Sequence, residues 1–555
     1  MRPHFCSRAV APRECNVKRP RPSARRVANY KTMVLTVFAA LLCLFLPTSR
    51  AQGLDPAELL KPATDTWPTY NGDYSGRRFS TLDQINASNI HALTLAWVYR
   101  AGHTVKSTPL EVNGILYFTS PDNVWAIDAR SGREYWHYER KSQGDHIGNR
   151  GVGMYGEWLY FTTPDAQLVS LNAKDGTVRW IKEIADPKLG YFSTMAPLVI
   201  RNHVIVGISG DVTDVRGYLE SVDPESGAIQ WRWNTTPDPG QPGSETWPKD
   251  PDAMLHGGGM TWMSGTYDPA LNLLFWGTGN PNPVLAGEGR PGDNLYTCSI
   301  VALNPDTGKL VWYFQPSPHD LHDWDAAETP VLFDADFRGK TRKLLAQASR
   351  NGFFFVLDRT TGEHLVTAPF IDENWASGVD SKGRPVAKPA ATPSPDGALV
   401  EPGSDGSTNW MAPSFDPMTG LFYVNARRIF SIFFQTTEGK AEGWAGRDRN
   451  LWANSTLRAL DYKTGKVVWD HEIGEGETLA GILTTAGHLL FSADNSGNLL
   501  ALDPASGTTL WHVNIGGELL ASPMTYQLDG RQYLIFAIQD AVYAFALPEP
   551  SKPST

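Results

Sequence analysis

Residues 302–312 read ALNPDTGKLVW, one copy of a pattern that recurs along the chain. Its first residues alternate as the end of a β-strand. Asn304 opens a tight turn, and Gly308 supplies the backbone freedom that the turn requires. A second strand then runs to Trp312, a large ring that needs burial. The pattern returns as AIDARSGREYW (126–136), SLNAKDGTVRW (170–180), SVDPESGAIQW (221–231), ALDYKTGKVVW (459–469) and ALDPASGTTLW (501–511). A further copy, VLDRTTGEHLV (356–366), carries Val366 in place of the tryptophan.

Upstream of most copies lies another strand, as in GILYFTS (114–120), EWLYFTT (157–163), LLFWGTG (273–279), LFYVNA (421–426) and HLLFSAD (488–494). Each repeat is therefore a small antiparallel sheet. A four-stranded unit recurring along one chain argues for an all-β fold, a β-propeller. An eighth sheet closes the ring if LTLAWVYRA (93–101) pairs with RQYLIFAI (531–538) and VYAFAL (542–547), which removes the open edge. The expectation is a single eight-bladed propeller domain over residues 52–555, with the six repeat tryptophans packed between blades.

The leading segment differs in kind. Residues 1–33 hold nine Lys or Arg and one Glu, and MVLTVFAALLCLFL (33–46) is apolar. Small residues at Ser49 and Ala51 complete a secretory signal over residues 1–51, cleaved after Ala51, with Met33 as an alternative start. An uncleaved anchor is the second reading, although the apolar run is short for a membrane span. The remaining chain carries 39 Lys or Arg and 58 Asp or Glu, a net charge of −19 that repels nucleic acid and suits basic protein partners. Cys298 is the one cysteine outside the leader, so no internal disulfide forms, and no CxxCH occurs to attach a c-type haem.

Spacing between repeats is uneven. The gaps Trp231–Trp312 and Val366–Trp469 exceed what one blade needs, and insertions of this kind carry function. The second gap holds VDSKGRPVAKPAATPSPDGALVEPG (379–403), which reads as a long covering loop. Just beyond the first lies PHDLHDWDAAETP (318–330), with three aspartates and two histidines within seven positions. Alone it is a metal site, a catalytic base or a polar turn.

The turn pattern ending in tryptophan resembles the docking motif of the quinoprotein alcohol dehydrogenases, eight-bladed propellers that use pyrroloquinoline quinone (PQQ). The resemblance spans residues 65–547 and rests on local motifs in family order. NRG (149–151) resembles the segment whose Arg150 contacts the quinone, and STMAP (193–197) the one contributing Thr194. SGDVTDVRG (209–217) occupies the glycine-rich cofactor loop, with Ser209, Gly210 and Asp211. GGGMTW ends in Trp262, at the place of the ring that stacks on PQQ, and GTGNP offers Asn280 as a metal ligand. RNG supplies Arg350 beside the reactive carbonyl, and TNW supplies Asn409 and Trp410 to the cofactor. PHDLHDWD resembles the catalytic loop, with Asp323 as base and metal ligand and Asp325 as the extra ligand of lanthanide-dependent members.

These residue types suit the implied chemistry. A flat tricarboxylate needs an aromatic platform, cationic clamps and amide donors. A hard cation, Ca2+ or a lanthanide, needs oxygen ligands. The resemblance implies a periplasmic enzyme that oxidises an alcohol or polyol and passes electrons to a separate cytochrome c, its oligomeric state open. Three departures from the family stand out. Val212 stands where a metal-ligand Glu is usual, with Asp211 or Asp214 as substitutes. Gly144 and Asp145 replace a pair of adjacent cysteines. Lys106 replaces a Glu and could pair with a PQQ carboxylate or with Asp145. Val212 motivates the alternative, a non-catalytic binding or assembly scaffold.

Overall fold

A computed structural model describes residues 53–142, 148–210, 213–435 and 444–549. The leader, Gly144, Asp145, Asp211 and Val212 lie outside the described residues. These residues form eight sheets of four or five strands and one two-stranded ribbon. Pairing is antiparallel except that Phe79–Ser80 adds in parallel to Leu483–Thr485. The first strand of a sheet is mostly buried, as at Leu110–Val112, and the fourth is largely exposed, as at Glu134–Glu139. First strands therefore line the interior of a β-propeller and fourth strands its rim.

The closing sheet forms as the sequence expects. Thr94–Arg100 pairs with Ala541–Ala546, which pairs with Arg531–Ile538, so the beginning of the ring is bonded to its end.

The repeat tryptophans join neighbouring sheets. The indole Nε1 donates to a turn carbonyl of the next repeat, from Trp136 to Ala173 (3.1 Å), Trp231 to Pro305 (2.7 Å), Trp312 to Arg359 (3.1 Å) and Trp469 to Pro504 (3.1 Å). Trp180 does the same to Glu225 at 3.1 Å. Each ring also covers the next turn's glycine: a Cβ on Gly176, Gly308, Gly362 or Gly507 would come within 2.6–2.8 Å of it. The turn therefore needs glycine twice, for φ values of +66° to +77° and for the ring lying on it. Trp511 packs edge-on against Phe545 of the closing sheet, at 5.9 Å between ring centres. Where the degenerate copy has Val366, Val366 and Ala368 contact Gly465 instead.

The stretch 379–403 is more structured than a covering loop. Ala376–Val379 and Pro385–Ala387 form the two-stranded ribbon, and Ala398–Val400 pairs with the long strand Leu421–Gln435. It still covers the aspartate-rich loop, because Ala391 and Gly403 accept hydrogen bonds from His322 (2.7 Å) and Trp324 (3.0 Å).

Candidate active site

Topology brings the candidates to one end of the ring. The residues just before a sheet's first strand and just after its second share an end in any antiparallel hairpin. Lys106, Arg150, Thr194, Trp262, Asp323, Asp325, Asn409 and Trp410 all precede first strands. Ser209, Gly210, Asn280 and Arg350 follow second strands. Six sheets thus contribute to one constellation.

Its floor and walls are two indoles surrounded by cations. The Arg150 guanidinium carbon lies 4.9 Å from the Trp262 ring centre and 5.8 Å from that of Trp410. Arg350 lies 5.5 Å from Trp262, and Lys106 Nζ 5.9 Å from Trp410. Arg150 Nη1 donates to Thr194 Oγ1, joining two of the sequence candidates. Burial and the Arg150 charge lower the Lys106 pKa below the usual lysine range. Ser209 Oγ is buried with no hydrogen-bond partner among the described residues, and Gly210 O is occupied by Thr213 N at 2.9 Å. Three cations gathered on two aromatic faces suit a planar polyanion.

The aspartate-rich loop is held from behind. Asp320 Oδ2 accepts from the backbone N–H of His322 (3.3 Å) and Trp324 (3.1 Å), a local cap that folds the loop back. Its carbonyl accepts from the fully buried Arg290 at 2.6 Å. His322 stacks on Trp324 at 4.2 Å between ring centres. Burial raises the Asp320 carboxyl to about 6 and lowers the His322 imidazole to about 4. Asp323 adopts φ +66°, an uncommon backbone for a residue with a side chain. Asp325 is pinned: Oδ2 accepts from Trp262 Nε1 at 2.7 Å, and Oδ1 from the Asn280 backbone N–H at 2.6 Å. A Cβ on Gly279 would sit 3.0 Å from Asp325 Oδ1, so the glycine makes room for this carboxylate.

Arg350 links these parts. Nη1 donates to Asp323 O at 2.8 Å and lies 3.2 Å from Asp323 Oδ2, while Nη2 donates to Asn409 Oδ1 at 3.3 Å. Nη2 is 3.5 Å from Asp325 Oδ2, and Nε is 3.8 Å from Glu328 Oε1. Burial works against the charge on Arg350, but these carboxylates raise its pKa above the usual guanidinium value.

Among the described residues no three His, Cys, Asp or Glu side chains gather as a metal cluster. Asp323 and Asp325 nevertheless share one guanidinium, and the Asn280 amide nitrogen donates to Pro281 O at 3.2 Å, leaving its side-chain oxygen able to ligate. Two carboxylates and an amide oxygen are hard donors that fit a Ca2+ or lanthanide ion.

Charged residues that pack away from water escaped the sequence reading. Glu328 lies inside the quoted loop, yet nothing in AAETP marks it as buried. Arg290 stands in a Gly- and Pro-rich stretch that reads as surface loop. The neighbouring acidic run was the one available signal for Glu328.

The family profile described as glucose/ethanol/alcohol dehydrogenase, β-propeller domain (PQQ), matches residues 67–374. A second, that of the outer membrane protein assembly factor BamB, matches residues 453–544. The quinoprotein alcohol dehydrogenase PedH of Pseudomonas putida is 36% identical over 500 residues, covering 83% of each chain. The quinohemoprotein alcohol dehydrogenase of Comamonas testosteroni is 37% identical over 517 residues, 86% of this chain and 73% of that one. Its crystal structure superposes with a TM-score of 0.85 at 33% identity, covering 91% of this chain and 84% of that chain. A europium-containing methanol dehydrogenase superposes with a TM-score of 0.80 at 28% identity, covering 88% of this chain and 99% of that one. A profile over more than half the residues, and relatives above one-third identical across most of them, place this chain in the PQQ-dependent alcohol dehydrogenases, a family of oxidoreductases.

Proposed function

We propose that this protein oxidises an alcohol or polyol, with PQQ held between Trp262 and Trp410 and a Ca2+ or lanthanide ion held by Asn280, Asp323 and Asp325. The observation that carries the reading is the convergence of Lys106, Arg150 and Arg350 on two indoles, with Asp323 and Asp325 on the same Arg350. PQQ supplies the hydride acceptor, and the cation supplies a Lewis acid.

The chain's own residues do the rest. Asp323 takes the proton of the substrate hydroxyl as the carbonyl forms, the role of a positioned general base. Arg350 orients that carboxylate through its contacts to both the Asp323 backbone and side chain, and it stabilises negative charge developing beside it. Arg150, Lys106 and the Thr194 hydroxyl bind anionic oxygens, and Ser209 offers a buried hydroxyl. Asn409 fixes the second Arg350 nitrogen. Asp325 keeps the platform ring of Trp262 in place through its hydrogen bond and would hold the cation.

Each turnover leaves two electrons to dispose of. A cytochrome c takes them, and the leader at residues 1–51 directs the enzyme to the periplasm. Nothing in the site favours the scaffold reading, which has no use for carboxylates and guanidinium held at ion-pair distance. The test is reconstitution of the mature chain with PQQ and either Ca2+ or La3+, followed by dye reduction with short alcohols, aldehydes and polyols. Alcohol-dependent reduction under one of the metals supports the reading. Absence of it under both, with PQQ and metal in excess, removes it.

A further inference from the structure

Arg350 is surrounded by more acid than one guanidinium needs. Asp323, Asp325 and Glu328 lie 3.2, 3.5 and 3.8 Å from it. The two aspartates sit on the Nη edge, which faces Trp262 and Asn409. Glu328 sits on the Nε edge, with its side chain 4% exposed. Among the described residues neither Glu328 oxygen accepts a hydrogen bond from another residue, and Arg350 Nε donates none. Arg427, a further buried guanidinium of this region, is committed to Glu477 at 2.7 Å and to Asp405 O. Burial raises the Glu328 carboxyl well above its ordinary range, Arg350 opposes it and the Asp325 charge adds to the rise; a cation on Asp325 would cancel that addition and favour the ionised carboxylate beside Arg350.

A cation held by Asp323 and Asp325 changes this balance. Both aspartates would then share their charge between the cation and Arg350, and a second positive charge would stand beside the guanidinium. Arginine does not shed its proton, and a buried charge without a partner is strongly destabilising. Among the described residues Glu328 is then the remaining carboxylate within 4 Å of Arg350. We propose that Glu328 is a positioning residue, the counter-anion that keeps Arg350 in the site once Asp323 and Asp325 bind a cation. The inference rests on the reading of the site given above. Glu328 acts through Arg350 alone.

A double-mutant cycle tests this, with Glu328→Gln, Arg350→Gln and the combined variant. The mature chain with bound PQQ is titrated with lanthanum chloride or calcium chloride by tryptophan fluorescence, and turnover is measured in parallel. Glu328→Gln is expected to weaken cation binding and lower kcat by about tenfold or more, with KM within about threefold. In the Arg350→Gln background the same change is expected to alter both by less than about twofold. Glu328→Asp keeps the charge and is expected to recover part of the loss; if Glu328→Gln does not fold, the cycle is run with Glu328→Ala, which also removes the charge, and read in the same way. Equal losses in both backgrounds, or wild-type cation affinity and kcat in Glu328→Gln, overturn the proposal. Wild-type protein that takes up no PQQ overturns the reading of the site itself, a result separate from any difference between variants.

Discussion

Asp320 and His322 show how two residues of one loop can titrate in opposite senses. Burial raises Asp320 from 3.8 to about 6, so the folded state holds its proton more tightly than the unfolded chain. Its contribution to stability is complete below about pH 4 and is lost as pH rises through 6. Burial lowers His322 from 6.5 to about 4, so its contribution is complete above pH 6.5 and is lost as pH falls through 4. Each spans about two pH units, on the order of 3 kcal/mol, and the two largely offset one another in the wild type. Single variants separate them. On acidification from about pH 6.5 to 4.5 without added metal, the thermal midpoint of Asp320→Asn is expected to fall more steeply than wild type, and that of His322→Gln less steeply or to rise. Parallel profiles for all three proteins would contradict this. The site's aspartates, asparagines and arginines were legible because they stand in short ordered motifs. Glu328 and Arg290 were not, because a charged side chain reads as solvated until packing removes the water around it.

At the scale of an element, the turn–strand–tryptophan unit joins one sheet to the next. Gly308 carries φ +66° and lies under Trp231, where a Cβ would be 2.6 Å from the ring. Gly530 carries φ +78° with nothing within 4 Å. Gly530→Ala therefore measures the backbone cost alone, about 1 kcal/mol, and Gly308→Ala adds the cost of displacing a docked ring, about 1–3 kcal/mol more. The expected outcome is a clearly lower thermal midpoint for Gly308→Ala; equal midpoints would mean that the docking contact contributes nothing. The repeats were legible because turn, glycine and tryptophan are local. Trp97 was not identified as a docking ring, though its Nε1 donates to Ala129 O at 3.2 Å and it covers Gly132. Its strand belongs to the closing sheet and lacks the turn that marks the others. Ala398–Val400 was missed because three residues are too few to show alternation.

For the whole molecule, closure of the ring is held by more than the strand Thr94–Arg100. Arg78 is 1% exposed and sits at φ +48°. Its guanidinium donates to Tyr70 O (2.7 Å), Ile482 O (3.2 Å) and Pro523 O (2.7 Å), tying the segment before the first sheet to the last two. No carboxylate lies within 4 Å among the described residues, and burial lowers its pKa to about 10. Carbonyls that converge on one planar fork need all its donors, which lysine lacks. Arg78→Lys is expected to cost about 2–4 kcal/mol of stability in denaturant unfolding while the holoenzyme that does fold keeps its KM. An unchanged midpoint would remove Arg78 from the closure. The same closed ring is what allows six sheets to aim side chains at one end.

The most direct test of the site is a comparison of wild type with Asp323→Asn after reconstitution with PQQ and La3+ or Ca2+, reading bound quinone by absorbance and alcohol oxidation by dye reduction. Both proteins are expected to fold, the variant to retain bound quinone, and its turnover to fall by about 10²–10⁴-fold, the loss of a general base. A variant that binds the quinone and turns over alcohol at the wild-type rate would contradict it.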